Sequence, residues 1–402
     1  MRLERLHTSW RTRPPAETWR YLERFQARFG VSRVTDITRL DRLGIPVFAA
    51  IRPGAAEGSL CVSSGKGVVE EDARIGALCE AIELACAEHD PARDSLRHGT
   101  VGELPDACGF DVHDFAVRAE HIKRVPEDGP LELLEVSELT SGDSAWIPAS
   151  LVLLPFRDRS LGLELYGQSS NGLASGNTRE EAVLHALLEV IERDALSFAR
   201  VQAVERRVEQ ISEPGWLALR ERIDKAGLRV WITTCRSPLR LPMFICYLVE
   251  DDHLGGITVA RGQGLHFDRS VAMLRAVTEA VQSRLTNIHG GRDDILPRFL
   301  EYQRRGREQE LREVHRLEDE LRNRSALRYD DLDHVAPGAS VSAALREIVS
   351  RLHAHGFRRV FVYDLNRTGV ELAVVKVVVP GLEFFSPTQP RVGKRLLEFG
   401  RA

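Results

Sequence analysis

Apolar residues recur at helical spacing over residues 16–30 (AETWRYLERFQARFG), and Gly30 closes that segment. Two strand-like runs follow, VSRVTDI and IPVFAAIRP, split by the turn-like DRLG. The pattern predicts a long helix from about Glu70 to His89, a second from about Thr178 to Val204 and a third from about Arg269 to Leu285. Between them, residues 91–130 are polar and punctuated by Pro and Gly. WIPASLVLLPF (146–156) is apolar but carries two prolines, which limits it to an edge strand or loop. LRVWITTC, MFICYLVE and GITVARGQG read as three strands. SAALREIVSRLHAHG reads as a helix with a glycine stop, and RRVFVYDLN and VELAVVKVVVPGL as β-branched strands. Hairpin-like and helix-linked strands together predict an α+β fold with mixed sheets.

Residues 298–328 are dense in charge and read as a solvated surface excursion laced with ion pairs. The longest apolar runs, Ile45–Ile51 and Leu372–Val379, are strand-length, far short of the roughly 20 residues that span a bilayer. The N-terminus has charge but no apolar stretch of a secretory signal, so a cytoplasmic chain away from membranes is expected. Over 402 residues, 55 Lys and Arg against 59 Asp and Glu give a net charge of −4, which argues against dedicated nucleic-acid binding. The six cysteines form no CxxC pair or zinc spacing and read as reduced core thiols.

One motif occurs three times. SSGKGVVEEDARIGALCEAIE (63–83), SNGLASGNTREEAVLHALLEVIER (170–193) and RGQGLHFDRSVAMLRAVTEAVQSR (261–284) each run from a glycine turn into a helix. The helices carry Glu80 and Glu83, Glu189 and Glu192, and Glu279 and Gln282. Residues at i and i+3 share one helix face. These faces are apolar around the acids, and an unpaired buried charge is costly. Lys66, Arg193, Arg275 and Arg284 are candidate counter-charges, and hard oxygen ligands also suit Mg²⁺. The glycine turns can present bare N–H groups to an anion. SSGKG is nevertheless not a Walker A loop, and GQG lacks the third glycine of a dinucleotide fingerprint.

From about Val31 to Glu383 the chain resembles the YcaO family. RVTDITRLDRLGIPVFAAIRP with SSGKG, SNGLASGNTREEAVLHALLEVIERDA, GQGLHFDRSVAMLRAVTEAVQSRL with GGRDD, and VYDLN with VVVPGLE are similar to family segments, in order. The resemblance implies a YcaO-type ATP-binding fold with long helices around a central nucleotide cavity. It implies one YcaO unit over residues 61–402, with residues 1–60 packed as part of it. ATP and Mg²⁺ are the implied cofactors. Glu80, Glu83, Glu189, Glu192 and Glu279 would hold the metal. Lys66, Arg193, Arg275, Arg284 and Arg292 would meet phosphate, with Asn171 and Gln282 as polar contacts. Arg193, Arg284 and Glu192 would act in catalysis. Two positions depart from the family pattern: Leu84 stands where an Arg often follows the first acid pair, and Gly76 where many members carry Ser or Ala.

Family members phosphorylate a peptide amide oxygen, and a nucleophile then displaces phosphate. A substrate side chain gives an azoline, sulfide a thioamide, and an amine an amidine. Azoline-forming members often end in PxPxP. This chain has Pro387 and Pro390 but no terminal PxPxP, so a thioamide is the expected product, with a TfuA-type sulfur-delivery partner. Removal of residues 385–402 is then expected to impair it less than it would a tail-dependent member. No fused peptide-recognition segment stands out, which implies a separate leader-peptide-binding protein; a homodimer is a further expected assembly. An azoline-forming or amidine-forming enzyme, and a non-catalytic ATP-binding accessory subunit, are the contrasting readings.

Overall fold

The computed structural model describes residues 4–6, 8–157, 160–202, 204–250, 258–336, 340–366, 369–386 and 389–399. Three strand–turn–helix units organise it. Strand Val62–Lys66 leads into helix Glu70–Ala87, strand Leu173–Gly176 into Arg179–Gln202, and strand Val259–Leu265 into Arg269–His289. These are the first, second and third repeat helices, and each packs on the sheet that contains its own strand.

The first sheet is antiparallel, ordered Arg33–Asp36, Val47–Ile51, Val62–Lys66. It joins residues on both sides of position 60. The second is ordered Leu173–Gly176, Ala373–Val378, Phe361–Asp364, Pro130–Glu138, Leu96–Thr100. Among the described residues Ser144–Pro148 pairs only with Pro130–Glu138, an edge position that its proline allows. The third is ordered Val259–Leu265, Met243–Val249, Arg229–Thr234, Arg206–Glu209, Ala326–Arg328, and its last pair is parallel. Strand Pro130–Glu138 begins at the end of the polar 91–130 segment and runs through a stretch to which the sequence reading assigned no element. Its burial alternates along the strand, but the charged residues between its apolar ones masked the pattern.

Glycines set the closeness of strand to helix. A Cβ on Gly65 would lie 2.0 Å from the Ala73 carbonyl oxygen, and one on Gly264 would lie 2.1 Å from that of Ala272. On Gly176 it would lie 2.5 Å from the Ala182 nitrogen. The strand glycines face small helix residues, Ala73 and Ala77, Ala182, and Ala272 and Ala276, and the sequence repeats the alanine pair in the second helix as Ala182 and Ala186. Those pairs stand seven and three positions before the first acid in all three helices, a repeat signal finer than the glycine turn alone.

The segment 16–30 begins as an α-helix, Pro15–Leu22, and tightens to a 3₁₀ turn, Glu23–Phe29, before Gly30 at φ 72°. The charged excursion forms helices Leu296–Arg305 and Arg307–Asn323. It is tied down where Glu318, 5% exposed, accepts hydrogen bonds from Arg229 and Trp231. The described C-terminal residues are integral to the fold. Arg391 is buried and donates to the Phe115 and Ala116 carbonyls; Glu383 accepts from the Gly393 and Leu396 backbone N–H groups. Arg395 pairs with the fully buried Asp194 at 2.6 Å. Removal of residues 385–402 would take Arg395 from Asp194 and the Gly393 and Leu396 N–H groups from Glu383, a cost to the fold that is separate from the comparison with tail-dependent members. Pro387 lies outside the described residues; Pro390 pairs with Phe385. Among the described residues no helix is long and apolar enough to cross a membrane.

Candidate nucleotide and metal site

The repeat helices enclose a cavity of about 740 Å³, within the range of small-molecule sites. Glu80, Glu83, Glu189, Glu192, Glu279 and Gln282 all line it, as do Lys66, Arg193, Arg275 and Arg292. The acids belong to three different helices. Only the assembly of the three units makes them neighbours.

The second member of each polar pair reaches the strand of the next unit. Glu83 accepts from the Ser175 backbone N–H at 2.7 Å and hydroxyl at 2.6 Å. Glu192 accepts from the Leu265 N–H at 3.0 Å. Gln282 closes the ring by donating to the Ser64 carbonyl. The third helix thus carries an amide where the others carry acids, because its target is an acceptor. Glu80 takes the Ser64 N–H at 2.7 Å. These bonds hold one carboxylate oxygen of each of Glu80, Glu83 and Glu192.

Burial raises the Glu83 carboxyl to about 8, with Ser175 opposing and Glu80 and Glu189 adding to the rise. It raises Glu189 to about 7 against the pull of Arg193. Glu80 and Glu192 are raised for the same primary reason, desolvation. Glu279 goes the other way: burial would raise it, but Lys66 and Arg193 outweigh that and hold it low. Lys66 is hydrogen-bonded to Glu279, and burial keeps its ammonium below the usual lysine range. Arg193 lies 3.2 Å from Glu192 and 4.0 Å from Glu189. Arg292 pairs with Asp294 at 2.6 Å, and the Arg275 Nε is buried without a hydrogen-bond partner.

The donor set fits Mg²⁺ shared with phosphate. Among the described residues no three His, Cys, Asp or Glu side chains converge into a metal-holding group by themselves. Mg²⁺ is ordinarily bound by one or two carboxylates together with substrate phosphates and water, which dispersed acids around a cavity can provide. Burial raises several of these carboxyls, and a cation bound among them would favour their charged forms.

Two expected contacts are not at this cavity. Arg284 is 6% exposed and points away, 2.8 Å from Asp41 and 2.7 Å from Glu250, so its charge is already matched. Asn171 lines a separate small cavity behind the Ser169–Asn171 turn. Leu84 is packed in the core while also edging the large cavity. Gly76 carries no steric demand: a Cβ there would make an ordinary 3.5 Å contact with Gly65.

Several cavity residues escaped the sequence reading. Arg11 binds Glu181 at 3.1 Å and approaches His185 at 3.3 Å, bringing the N-terminal segment over the opening. Trp10 anchors that segment by stacking on Phe267 at 6.0 Å. Arg261 lines the wall above the Tyr247 ring. Outside this cavity, Lys376, concealed in an apolar strand, lines the small one and is 2% exposed; burial lowers it to about 7, with Glu189 opposing. Only the lysine's presence in that run was visible beforehand.

A family model described as YcaO cyclodehydratase, ATP- and Mg²⁺-binding, matches residues 64–383. An uncharacterised protein of Methanothermobacter thermautotrophicus is 33% identical over 390 residues, covering 95% of this chain and 97% of its own. A Rhizobium leguminosarum bv. trifolii protein, described as uncharacterised and in the tfuA 3′ region, is 34% identical over 387 residues, 92% of this chain and 87% of its own. The structure of YcaO from Methanopyrus kandleri bound with AMPPCP and Mg²⁺ superposes with a TM-score of 0.75 at 25% identity, covering 98% of each chain. A heterocyclase in complex with substrate and cofactor shares the fold, with a TM-score of 0.76 at 21% identity; the match covers all of this chain and 57% of that one. With its fold, its three-helix carboxylate cavity and a family match over most of its length, this chain belongs to the YcaO family.

Proposed function

We propose that this protein uses ATP and Mg²⁺ to phosphorylate a backbone amide oxygen of a peptide or protein, and that hydrosulfide then converts the amide to a thioamide. The observation that carries amide activation is the ring of acids from three helices around one nucleotide-sized cavity, in a family described as ATP- and Mg²⁺-binding. The choice of thioamide is supported by the 34% identical relative named for the tfuA region.

Glu80, Glu83, Glu189, Glu192 and Glu279 would hold Mg²⁺, which supplies charge neutralisation between carboxylates and phosphate. Lys66, Arg193, Arg275 and Arg292 would face the triphosphate and the charge on the transferring phosphoryl group. The strand N–H groups of Ser64, Ser175 and Leu265 orient three of the acids. The amide oxygen bonds to the γ-phosphorus as the bond to ADP breaks. Hydrosulfide then bonds to the amide carbon, the carbon–oxygen bond breaks, and phosphate leaves with the former amide oxygen and the sulfur's proton. A TfuA-type partner would deliver sulfur, and a separate protein would present the peptide.

The test is mass analysis of candidate peptides incubated with the protein, ATP, Mg²⁺ and sulfide. Exchange of one oxygen for sulfur is expected. Loss of water without any sulfur source refutes the thioamide and establishes azoline formation. No product and no peptide-stimulated ATP hydrolysis across the set, given nucleotide binding, supports an accessory subunit.

A further inference from the structure

Beside the nucleotide cavity lies a second one of about 50 Å³, room for a few waters or one small ion. The Ser169–Asn171 turn separates the two: Ser170 lines the large cavity, Ser169 and Asn171 the small one. Val190 walls the small cavity while Glu189 and Glu192, on the same helix, face the large one. The two spaces are thus neighbours across one helix and one turn.

The small cavity is lined by two buried cations. Lys376 is 2% and Arg391 8% exposed. Lys376 donates to the Ser169 carbonyl at 2.6 Å; Arg391 spends Nε and Nη2 on the Ala116 and Phe115 carbonyls. Among the described residues neither has a carboxylate within ion-pair distance. Glu383 also lines the space, but both its oxygens are committed to the Gly393 and Leu396 N–H groups. Two cations therefore line the space against one acid whose oxygens are already committed. Two further polar atoms, Ser150 Oγ and Asn171 Oδ1, are buried there without hydrogen-bond partners. Buried polar groups are normally satisfied, and buried charges normally paired.

We infer that this cavity is a binding site for a small inorganic anion, held between Lys376 and Arg391 with the Ser150 hydroxyl as a further donor. Two anions of the proposed reaction have this chemistry, incoming hydrosulfide and departing phosphate. Hydrosulfide, the smaller of the two, suits a space of about 50 Å³. That choice rests on the thioamide reading, whereas the anion site itself rests on the cavity alone. Asn171 Oδ1 is an acceptor, which suits an occupant that keeps one hydrogen, as HS⁻ and protonated phosphate both do.

The experiment uses bromide as an anomalous-scattering probe in phosphate-free crystals of the full chain, with hydrosulfide or phosphate added as competitor. A bromide peak between Lys376 and Arg391 is expected in the parent. Lys376→Met should remove it, and Ser150→Ala, a milder change, should weaken it. No peak in the parent, or an undiminished peak in a folded Lys376→Met protein, overturns the inference. Displacement by hydrosulfide assigns the sulfur nucleophile, and displacement by phosphate alone assigns the leaving group. In turnover, Lys376→Met should raise the KM for hydrosulfide roughly tenfold or more, the scale of a lost charged hydrogen bond, with the KM for ATP unchanged. Thioamide formed with an unchanged hydrosulfide KM overturns the sulfur assignment. A bromide site in a protein that makes no thioamide leaves the anion site standing and removes the thioamide reading.

Discussion

Glu83→Gln separates a metal-holding carboxylate from a structural one. Its carboxyl is raised from an ordinary 4.5 to about 8, chiefly by burial, with Glu80 and Glu189 contributing. An acid raised in the folded state stabilises below its unfolded pKa, and that contribution is lost as pH rises through the folded value. The ligand-free protein should therefore weaken between about pH 5 and pH 8. At about 1.4 kcal/mol per unit the ceiling is roughly 5 kcal/mol. Glu83 borders a solvent-accessible cavity, so screening should reduce this to about 1–3 kcal/mol. The Gln carbonyl can still accept both Ser175 bonds. The variant should then match the parent near pH 5 and exceed it at pH 8. With an unfolding entropy of about 2.1 cal/mol/K per residue, the gain is roughly 1–3 °C in Tm. Thermal unfolding across pH, with and without Mg²⁺ and AMPPCP, is the assay. Saturating ligand at about 100 times Kd adds about 2.7 kcal/mol to the parent, and the variant should lose most of that increment. A variant less stable than the parent at pH 8, or one with an undiminished ligand shift, would refute the reasoning.

Glu192→Gln should abolish turnover while the ligand-free Tm stays at or above the parent's, since Gln can still accept the Leu265 N–H; a large fall in Tm would make the acid structural. Arg284→Gln should cost about 3 kcal/mol in urea unfolding by leaving Asp41 and Glu250 without their buried partner, yet leave nucleotide affinity unchanged by calorimetry. Gly65→Ala should cost about 3 kcal/mol or prevent folding, because its Cβ would meet backbone atoms of Ala73 and Ala77; equal stability in urea would contradict the close packing. Arg395→Ala should lower stability by about 3 kcal/mol through the unpaired Asp194, measured in the same way.

The sequence determined what repeats within one chain segment. Glycine before a helix, and polar residues at i and i+3, identify the three units because helix geometry fixes that spacing locally. The β-branched strands were legible for the same reason, as their alternation needs no partner to be seen. Tertiary structure decided which unit meets which. Glu83 reaches Ser175 and Glu192 reaches Leu265 only because each helix lies against the next unit's strand. It also reassigned Arg284, one helical turn from the site in sequence but matched by Asp41 and Glu250 from other elements. Lys376 and Arg391 became neighbours across one cavity though they stand in different strands. No spacing rule links such pairs, since contact between distant segments is set by how faces pack and by which buried charge finds a partner first.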